Sequence, residues 1–545
     1  MSQDKTIQLN QPRPWSGINA YRSDPLVVDV TAPMPRAIRE DFESLGRYVT
    51  STEAQELARM ANHGVPQLRT HGPRGERLDV IDFHPAWHAL MRRSMGAGLH
   101  ASAWENIADE RGRSHKARAI RYYLTAQLEN GHLSPMTMTS ASVAALMAAP
   151  QIQKDWATKI LSRKYDAGNK PAIQKSAVTI GMGVTEKQAG TDVHAIDTTA
   201  ERVGDGIYRL AGHKWFVSAP MSDAFIMLAQ TRDGIACFLV PRLLEDGSAN
   251  GLRYQRLKDK IGNRSNATAE VEFSDTFGFL LGATDGGVRT VLDMVTLTRL
   301  DCALGSAGMM RASLAEAVHH ARGRSVFGKP LSTQPIMARV LADMALDVAA
   351  ASALCFRLAD AFDRAGSSPE DAAYARIMTP VVKYWCTKIA PALIQEAMEC
   401  IGGSGYVEDR PIARHYREAP ANAIWEGPGN VMAIDLLRVL NRGRDLFEQL
   451  FVSIGRDLGP AAKKTLDVLR AAMSLCERDE GAARLLIEQL ALAAAAAELY
   501  RLGAGRVADA FLESRLAGGW RSTYGMLDSR FDSNYILDLL YPAAD

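Results

Sequence analysis

Apolar residues recur every three to four positions over the first third of the chain and again over its second half, with a spacing of two in between. From about Pro35 to Lys164, segments such as ESLGRYVTSTEAQELARMANHG and HPAWHALMRRSMGAGLHASAWENIA carry the longer period with few β-branched runs, which predicts helices. Between about Ala177 and Gly286 the period shortens: GIYRLAGHKWFVSA, AFIMLAQT, IACFLVP and ATAEVEFSD read as short strands separated by turn signals such as VGDG. Long helical periodicity returns from Val288, and an alanine-rich stretch from about Arg442 is helical again. The expected fold class is mainly α with a central β domain. The expected division is an N-terminal helical domain (1–176), a β domain (177–287), a helical domain (288–441) and a C-terminal helical extension (442–545).

Composition narrows the partners. At 545 residues the chain can form several domains and a deep site. Its 63 Lys and Arg against 62 Asp and Glu leave a formal charge of +1, so nothing global favours nucleic acid or an anionic membrane. Six cysteines (Cys237, Cys302, Cys355, Cys386, Cys400, Cys476) show no CxxC pairing, which reads as reduced thiols in a cytoplasmic protein. The start, MSQDKTIQLNQPRP, lacks the basic-then-apolar pattern of a secretory signal. The longest apolar run, LALAAAAA from Leu490, is far shorter than the roughly 20 residues of a membrane span, so no membrane partner is expected.

Several stretches carry candidate chemistry. GMGVTEKQAGTD (Gly181 to Asp192) follows an apolar run and reads either as an ordinary turn or as backbone donors around Gly183 and Gly190, with hydroxyls at Thr185 and Thr191, for an anionic or carbonyl-rich ligand. ECIGGSGYVED (Glu399 to Asp409) is either a helix C-cap or a phosphate nest. GAGRVA from Gly503 fits a dinucleotide fingerprint but follows a helix where a strand is required. His84 and His88 have helical spacing without a third ligand nearby, and the basic run Arg111 to Tyr123 reads as a solvated helix face or as phosphate contacts. In IWEGPGN, Glu426 stands between Trp425 and a Gly-Pro-Gly turn, with Asn430 expected as N-cap of the following helix. Its carboxylate either complements that helix dipole or acts as a general base whose pKa burial raises.

Taken in order, GVTEKQAGTD, AGHKWFVSA, KDKIGNRSNATAEVEF, RGRSVFGKPLSTQPI, EAMECIGGSGY and IWEGPGN resemble the acyl-CoA dehydrogenase flavoprotein family over roughly residues 150–440. Flanking stretches such as NQPRPWSGINAYRSD, RLDVIDFHPAWHALM and LTRLDCALGSAGMM, with the extra C-terminal helices, resemble the family's branch tied to the adaptive response to DNA alkylation. The resemblance implies an N-terminal helical domain, a middle β-barrel, a C-terminal four-helix bundle and an additional helical domain. It also implies FAD as cofactor, a homotetramer with shared FAD sites, an acyl-CoA-like substrate and, for that branch, double-stranded DNA.

Residue by residue, the resemblance places Met182, Val184, Thr185, Gly190 and Thr191 along the flavin, Thr185 at the ring edge and Thr191 at the pyrophosphate. Phe216 stands where relatives cover the ring with tryptophan, and Ser218 where a hydroxyl meets flavin N5. Arg324, Phe327 and Gln334 match the set that receives the ADP half from a neighbouring subunit, with Gly402 and Gly403 over the same half. Glu426 matches the catalytic base that takes the α-proton, with Trp425, Gly427 and Asn430 on the cofactor side, and Arg299 matches an arginine near the acyl-CoA pocket. Pro428 replaces a threonine of relatives, and Trp425 narrows the acyl channel toward short or branched groups. The implied function is a weak acyl-CoA dehydrogenase-like oxidoreductase with a role in the alkylation-damage response. The alternative is a DNA-binding flavoprotein that inactivates or excludes alkylating agents. The DNA role of that branch is assigned to a basic C-terminal domain, whereas Leu437 to Asp545 holds fourteen Arg and Lys against fifteen Asp and Glu, which weighs against duplex binding.

Overall fold

The computed structural model describes residues 10–516 and 530–542. The start before Asn10, and the charges at Arg521, Asp528 and Asp545 counted above, lie outside the described residues.

The N-terminal region holds seven helices: α1 (Pro25–Thr31), α2 (Arg36–Val49), α3 (Thr52–His63), α4 (Pro85–Gly96), α5 (Ser114–Ala126), α6 (Leu133–Leu146) and α7 (Pro150–Ile160). The sequence predicts a wholly helical region here, but β1 (Gln67–His71) and β2 (Arg77–Asp82) form an antiparallel hairpin between α3 and α4. The alternation in QLRTH and RLDVID around the GPRG turn is a strand signal that the helical periods on either side mask. Leu68 and Ile81 of the hairpin pack on the core of the β domain, and Arg77 donates to Tyr254 O at 2.9 Å.

Seven strands follow: β3 (Ile180–Gly183), β4 (Thr199–Arg202), β5 (Ile207–Ser218), β6 (Ala224–Gln230), β7 (Ile235–Pro241), β8 (Leu252–Leu257) and β9 (Thr268–Leu281). β5 pairs with β9, β9 with β7, β7 with β6, and β6 returns through β3 and β4 to β5, so the sheet closes into a barrel. AFIMLAQ and IACFLVP are apolar at almost every position because both faces of these strands are covered. On β6, Phe225, Met227 and Ala229 fill the barrel, while Ala224, Ile226 and Leu228 face the helical layer of α6 and α8.

The helical domain is built on α8 (Gly287–Gly323), α9 (Pro335–Arg364), α10 (Pro369–Ile401), α11 (Pro411–Asn422) and α12 (Gly429–Leu440), with a short hairpin of β10 (Ser325–Val326) and β11 (Lys329–Pro330) between α8 and α9. The extension is α13 (Arg444–Leu458), α14 (Ala462–Cys476), α15 (Ala483–Arg501), α16 (Gly505–Arg515) and α17 (Ser533–Leu540). It is not a tethered appendage: the alanine-rich α15 packs on α9 and α10 and joins their core. Among the described residues, no helix is long and apolar enough to cross a membrane.

The basic run is not a uniformly solvated face: Arg111 is exposed, but its C-terminal cations turn inward. Arg118 is buried and grips both oxygens of Asp301 at 2.7 Å, and Arg121 joins Asp41 and Glu110. His84 caps α4, its Nδ1 accepting from Ala86 N–H at 3.1 Å, and His88 Nδ1 lies 2.7 Å from the Tyr165 hydroxyl. GAGRVA links α15 to α16 with no strand before it.

Candidate active site

Pro420 lies inside the last turn of α11, and the chain closes with Ile424 and Trp425 N–H groups donating to Ala421 O. Glu426 then adopts φ +58°, Gly427 φ +102°, and Pro428 leads into α12. Asn430 is therefore not the N-cap: the helix begins at Gly429, and Asn430 sits exposed within its first turn. Pro428 supplies fixed φ at the cap position and takes over the helix-starting role. A left-handed glutamate is strained by about 1–3 kcal/mol and persists only where its surroundings impose it. Here two cations grip consecutive carbonyls: Arg299 Nε donates to Glu426 O at 3.1 Å, and Lys383 Nζ to Gly427 O at 2.5 Å. Arg299 is in turn held by Asp435 at 2.7 Å, and Arg376 holds the other Asp435 oxygen at 2.8 Å. Burial opposes charge on Asp435, but these arginines keep its carboxylate below its usual range.

The Glu426 side chain is half-buried and faces a cleft between α6, α8, α11 and the loop before β9, with Met138, Asn263, Cys302 and Trp425 around it. Burial raises its pKa, against a hydrogen bond from Thr298 and the charges of Arg299 and Lys383. Lys383 is itself buried, which brings its amine down to about 8. Sequence motifs missed Lys383 and Asp435. The available signal was a lone charge inside an apolar helical run, TPVVKYWC for the one and MAIDLL for the other.

A second group comes from the barrel. Gly181 and Gly183 sit within β3 rather than in an exposed turn, and Met182 pairs with Ser218 and Gly183 with Val217. From Val184 the segment leaves the sheet, and Thr185 O accepts from Trp215 N–H at 2.8 Å. Met182, Val184, Thr185 and Ser218 are half-buried, whereas Gly190, Thr191 and Phe216 are exposed. Glu186 anchors this segment from below, accepting from Lys214 Nζ and Thr198 Oγ1 at 2.5 Å each and from Asp197 N–H at 2.6 Å. Burial would raise its pKa, but the Lys214 ammonium and these donors hold it low. Thr268, the partner of Ser218, follows the loop that carries Asn263 into the Glu426 cleft, and Thr139 of α6 accepts from Ile180 N–H at 3.0 Å. Of these barrel residues none lines the Glu426 cleft itself; the link to it is the loop before β9, which carries Asn263 into the cleft and leads to Thr268 beside Ser218.

A third group lies elsewhere. Arg324, Phe327 and Gln334 surround the β10–β11 hairpin, where Arg324 donates to Asn10 O at 2.6 Å and Gln334 to Val326 O at 3.0 Å. Arg324 ends the helix on which Thr298 touches Glu426, about 39 Å away at 1.5 Å per residue. Gly402 caps α10 with φ +77°, and Gly402 and Gly403 have no atom within 4 Å of where a Cβ would stand, an open backbone fit for a phosphate-bearing ligand. Lys383, on the same helix as these glycines, is about 28 Å from them. One chain does not bring these residues to Glu426.

Comparison with known proteins agrees with this architecture. Residues 10–167 match the family described as "Adaptive response protein AidB N-terminal domain", residues 181–276 "Acyl-CoA dehydrogenase, middle domain" and residues 285–440 "Acyl-CoA dehydrogenase, C-terminal domain". The chain is 43% identical over 510 residues to putative acyl-CoA dehydrogenase AidB of Escherichia coli (strain K12), covering 93% of this chain and 94% of that protein. It is 31% identical over 445 residues to acyl-CoA dehydrogenase family member 11 of Caenorhabditis elegans, covering 78% and 71%. The crystal structure of Caenorhabditis elegans ACDH-11 in complex with C11-CoA superposes with a TM-score of 0.85 over 99% of this chain and 98% of that one, at 24% identity. The chain belongs to the acyl-CoA dehydrogenase family of FAD-dependent CH–CH oxidoreductases.

Proposed function

We propose that the protein dehydrogenates a CoA thioester at its Cα–Cβ bond with Glu426 as the base. The observation that carries this reading is the Glu426 carboxylate itself, raised in pKa by burial and fixed over the cleft by Arg299 and Lys383. FAD, when bound, supplies the acceptor for the hydride that leaves Cβ. Glu426 takes the Cα proton, and the electron pair of that C–H bond becomes the new Cα=Cβ bond. Burial raises the pKa of Glu426 above that of an exposed glutamate, which makes its carboxylate the stronger base toward the Cα proton. Its N–H is the donor we assign to the thioester oxygen, where charge develops. Met182, Val184, Thr185, Gly190, Thr191, Phe216 and Ser218 would hold the flavin, with Trp425, Gly427 and Asn430 beside it. Arg299 acts by positioning Glu426 rather than by touching substrate.

The same reading assigns Arg324, Phe327, Gln334, Gly402 and Gly403 to the ADP half of an FAD bound mainly by another copy, in a homotetramer. Their remoteness from Glu426 within one chain supports this. We also read the chain as four units broken at 176/177, 287/288 and 441/442, the first and last in connections between elements and the second at the start of α8.

The match of residues 10–167 supports a biological role in the alkylation-damage response. Duplex binding by the extension is less well supported, because acidic residues match its cations in number and four of those cations are held in ion pairs: Arg444 pairs with Glu477, Arg470 with Glu448, Arg501 with Glu498, and Arg515 with Asp343 and Asp347. A steep fall in duplex affinity with rising salt would reverse that judgement.

The deciding experiment mixes the FAD-loaded protein anaerobically with short, branched and long acyl-CoAs and follows bleaching of the oxidised flavin. Glu426→Gln should keep FAD and lose reduction by about 10²–10⁴-fold. Reduction at the wild-type rate in Glu426→Gln would remove the residue from this role.

A further inference from the structure

The cleft beside Glu426 exposes apolar surface from Met138, Cys302 and Trp425, but several polar side chains reach into its wall. Tyr122 and Asn130 enter from α5 and the turn after it, Ser134 and Thr137 from α6, Asp301 from α8 and Asn263 from the loop before β9. Some of these groups satisfy one another. Tyr122 OH lies 2.9 Å from Thr137 Oγ1, Thr137 donates to Asp301 Oδ2 at 2.8 Å, and both Asp301 oxygens accept from Arg118 at 2.7 Å. Two do not. Ser134 is 8% exposed and Asn263 3%, and neither Ser134 Oγ nor Asn263 Oδ1 has a hydrogen-bond partner. Buried polar atoms in native proteins are almost always satisfied, so two unpartnered ones in the wall of a cleft indicate what the cleft is shaped to receive.

We propose that the acyl group admitted here is short and carries a hydroxyl toward its distal end, which bonds Ser134 Oγ and Asn263 Oδ1. The proposal rests on the reading of Glu426 as the base of acyl-CoA dehydrogenation. A hydroxyl both donates and accepts, so it satisfies a serine oxygen and either orientation of an amide. A long hydrocarbon chain would leave Ser134 Oγ and Asn263 Oδ1 buried without a partner. A terminal carboxylate would approach Asp301, whose Arg118 partner is already engaged through both terminal nitrogens. A site built to hydrogen-bond a hydroxyl discriminates against the analogue that lacks it.

The test compares butyryl-CoA, 4-hydroxybutyryl-CoA, succinyl-CoA and octanoyl-CoA as anaerobic reductants of the FAD-loaded protein. In each case one proton passes to Glu426 and one hydride to FAD, so bleaching reads two electrons per turnover. The expected result is a specificity for 4-hydroxybutyryl-CoA about tenfold above butyryl-CoA, with succinyl-CoA and octanoyl-CoA slower than either. Ser134→Ala and, separately, Asn263→Leu should each collapse that ratio toward one. Equal or faster reduction by butyryl-CoA overturns the hydroxyacyl assignment, leaves Glu426 as base and makes internal water the partner of Ser134 and Asn263. No reduction by any thioester overturns the Glu426 reading and this assignment with it.

Discussion

Arg299 donates through Nε to the carbonyl oxygen of Glu426 at 3.1 Å, from a helix 127 residues earlier in the chain. The contact joins the acid's backbone, not its carboxylate, to an arginine that Asp435 holds at 2.7 Å. The placement of Glu426 is therefore set by α8 and α12 together. Arg299→Met removes the donor and leaves Asp435 with Arg376 alone. Flavin reduction by the best thioester should slow by about 10–10² while FAD content stays at the wild-type level, because ångström-scale misplacement of a reacting group costs that order. Stopped-flow absorbance gives both numbers, and an unchanged rate would release Arg299 from the positioning role.

The pH dependence has a definite sign. Burial raises the pKa of Glu426 while Lys383 and Arg299 oppose it, so reduction rises with pH along a limb that lies above the ordinary glutamate range. Removing the Lys383 charge by Lys383→Met should move that limb to higher pH. Stability follows the opposite course. A carboxyl whose folded pKa is raised contributes fully below its unfolded value, and that contribution is lost as pH rises through the folded value. Glu426→Gln, uncharged throughout, should unfold at a higher temperature than wild type at about pH 8 and show no such gain at about pH 4.

Lys214 and Glu186 form a second buried contact with a measurable consequence. Both side chains are fully buried and 2.5 Å apart, directly beneath the segment that we assign to the flavin. Lys214→Met leaves the Glu186 carboxylate buried without its counter-charge, which should lower the unfolding free energy by about 3–5 kcal/mol. FAD content should fall in parallel, since the loop from Val184 to Thr191 loses its anchor. Lys214→Met combined with Glu186→Gln should recover part of both. A double variant no better than the single one would show that the loop is held by other contacts.

The order helices, strands, helices was legible because each segment buries one face and so carries a clean period. The hairpin at Gln67–Asp82 was not, since its strands are short and half-exposed and lie between two strong helical signals. The same contrast holds at the site. Glu426 stands in a motif, whereas Lys383 and Asp435 reach it from helices where only an isolated charge among apolar neighbours marks them. Arg118 and Arg121 were misread for a related reason: sequence shows charge but not the buried carboxylates, Asp301 and Glu110, that long-range packing brings to them.

Phe327 is 94% exposed with φ +52°, at the tip of the hairpin that also presents Arg324 and Gln334. Exposing a phenylalanine ring in a left-handed turn is unfavourable for an isolated chain. Among the described residues, Ile336 and Tyr406 are the other large apolar side chains more than four-fifths exposed. A second copy that covers Phe327 would place its own flavin-facing cleft against Arg324 and Gln334 and remove both the apolar exposure and the distance from Glu426. Phe327→Asp should therefore reduce the mass measured by light scattering and lower the bound FAD per chain together, with far-UV circular dichroism unchanged. Full FAD occupancy at unchanged mass would mean that Phe327 takes no part in a shared site. Lost FAD at unchanged mass would show that the hairpin serves the cofactor without holding the oligomer.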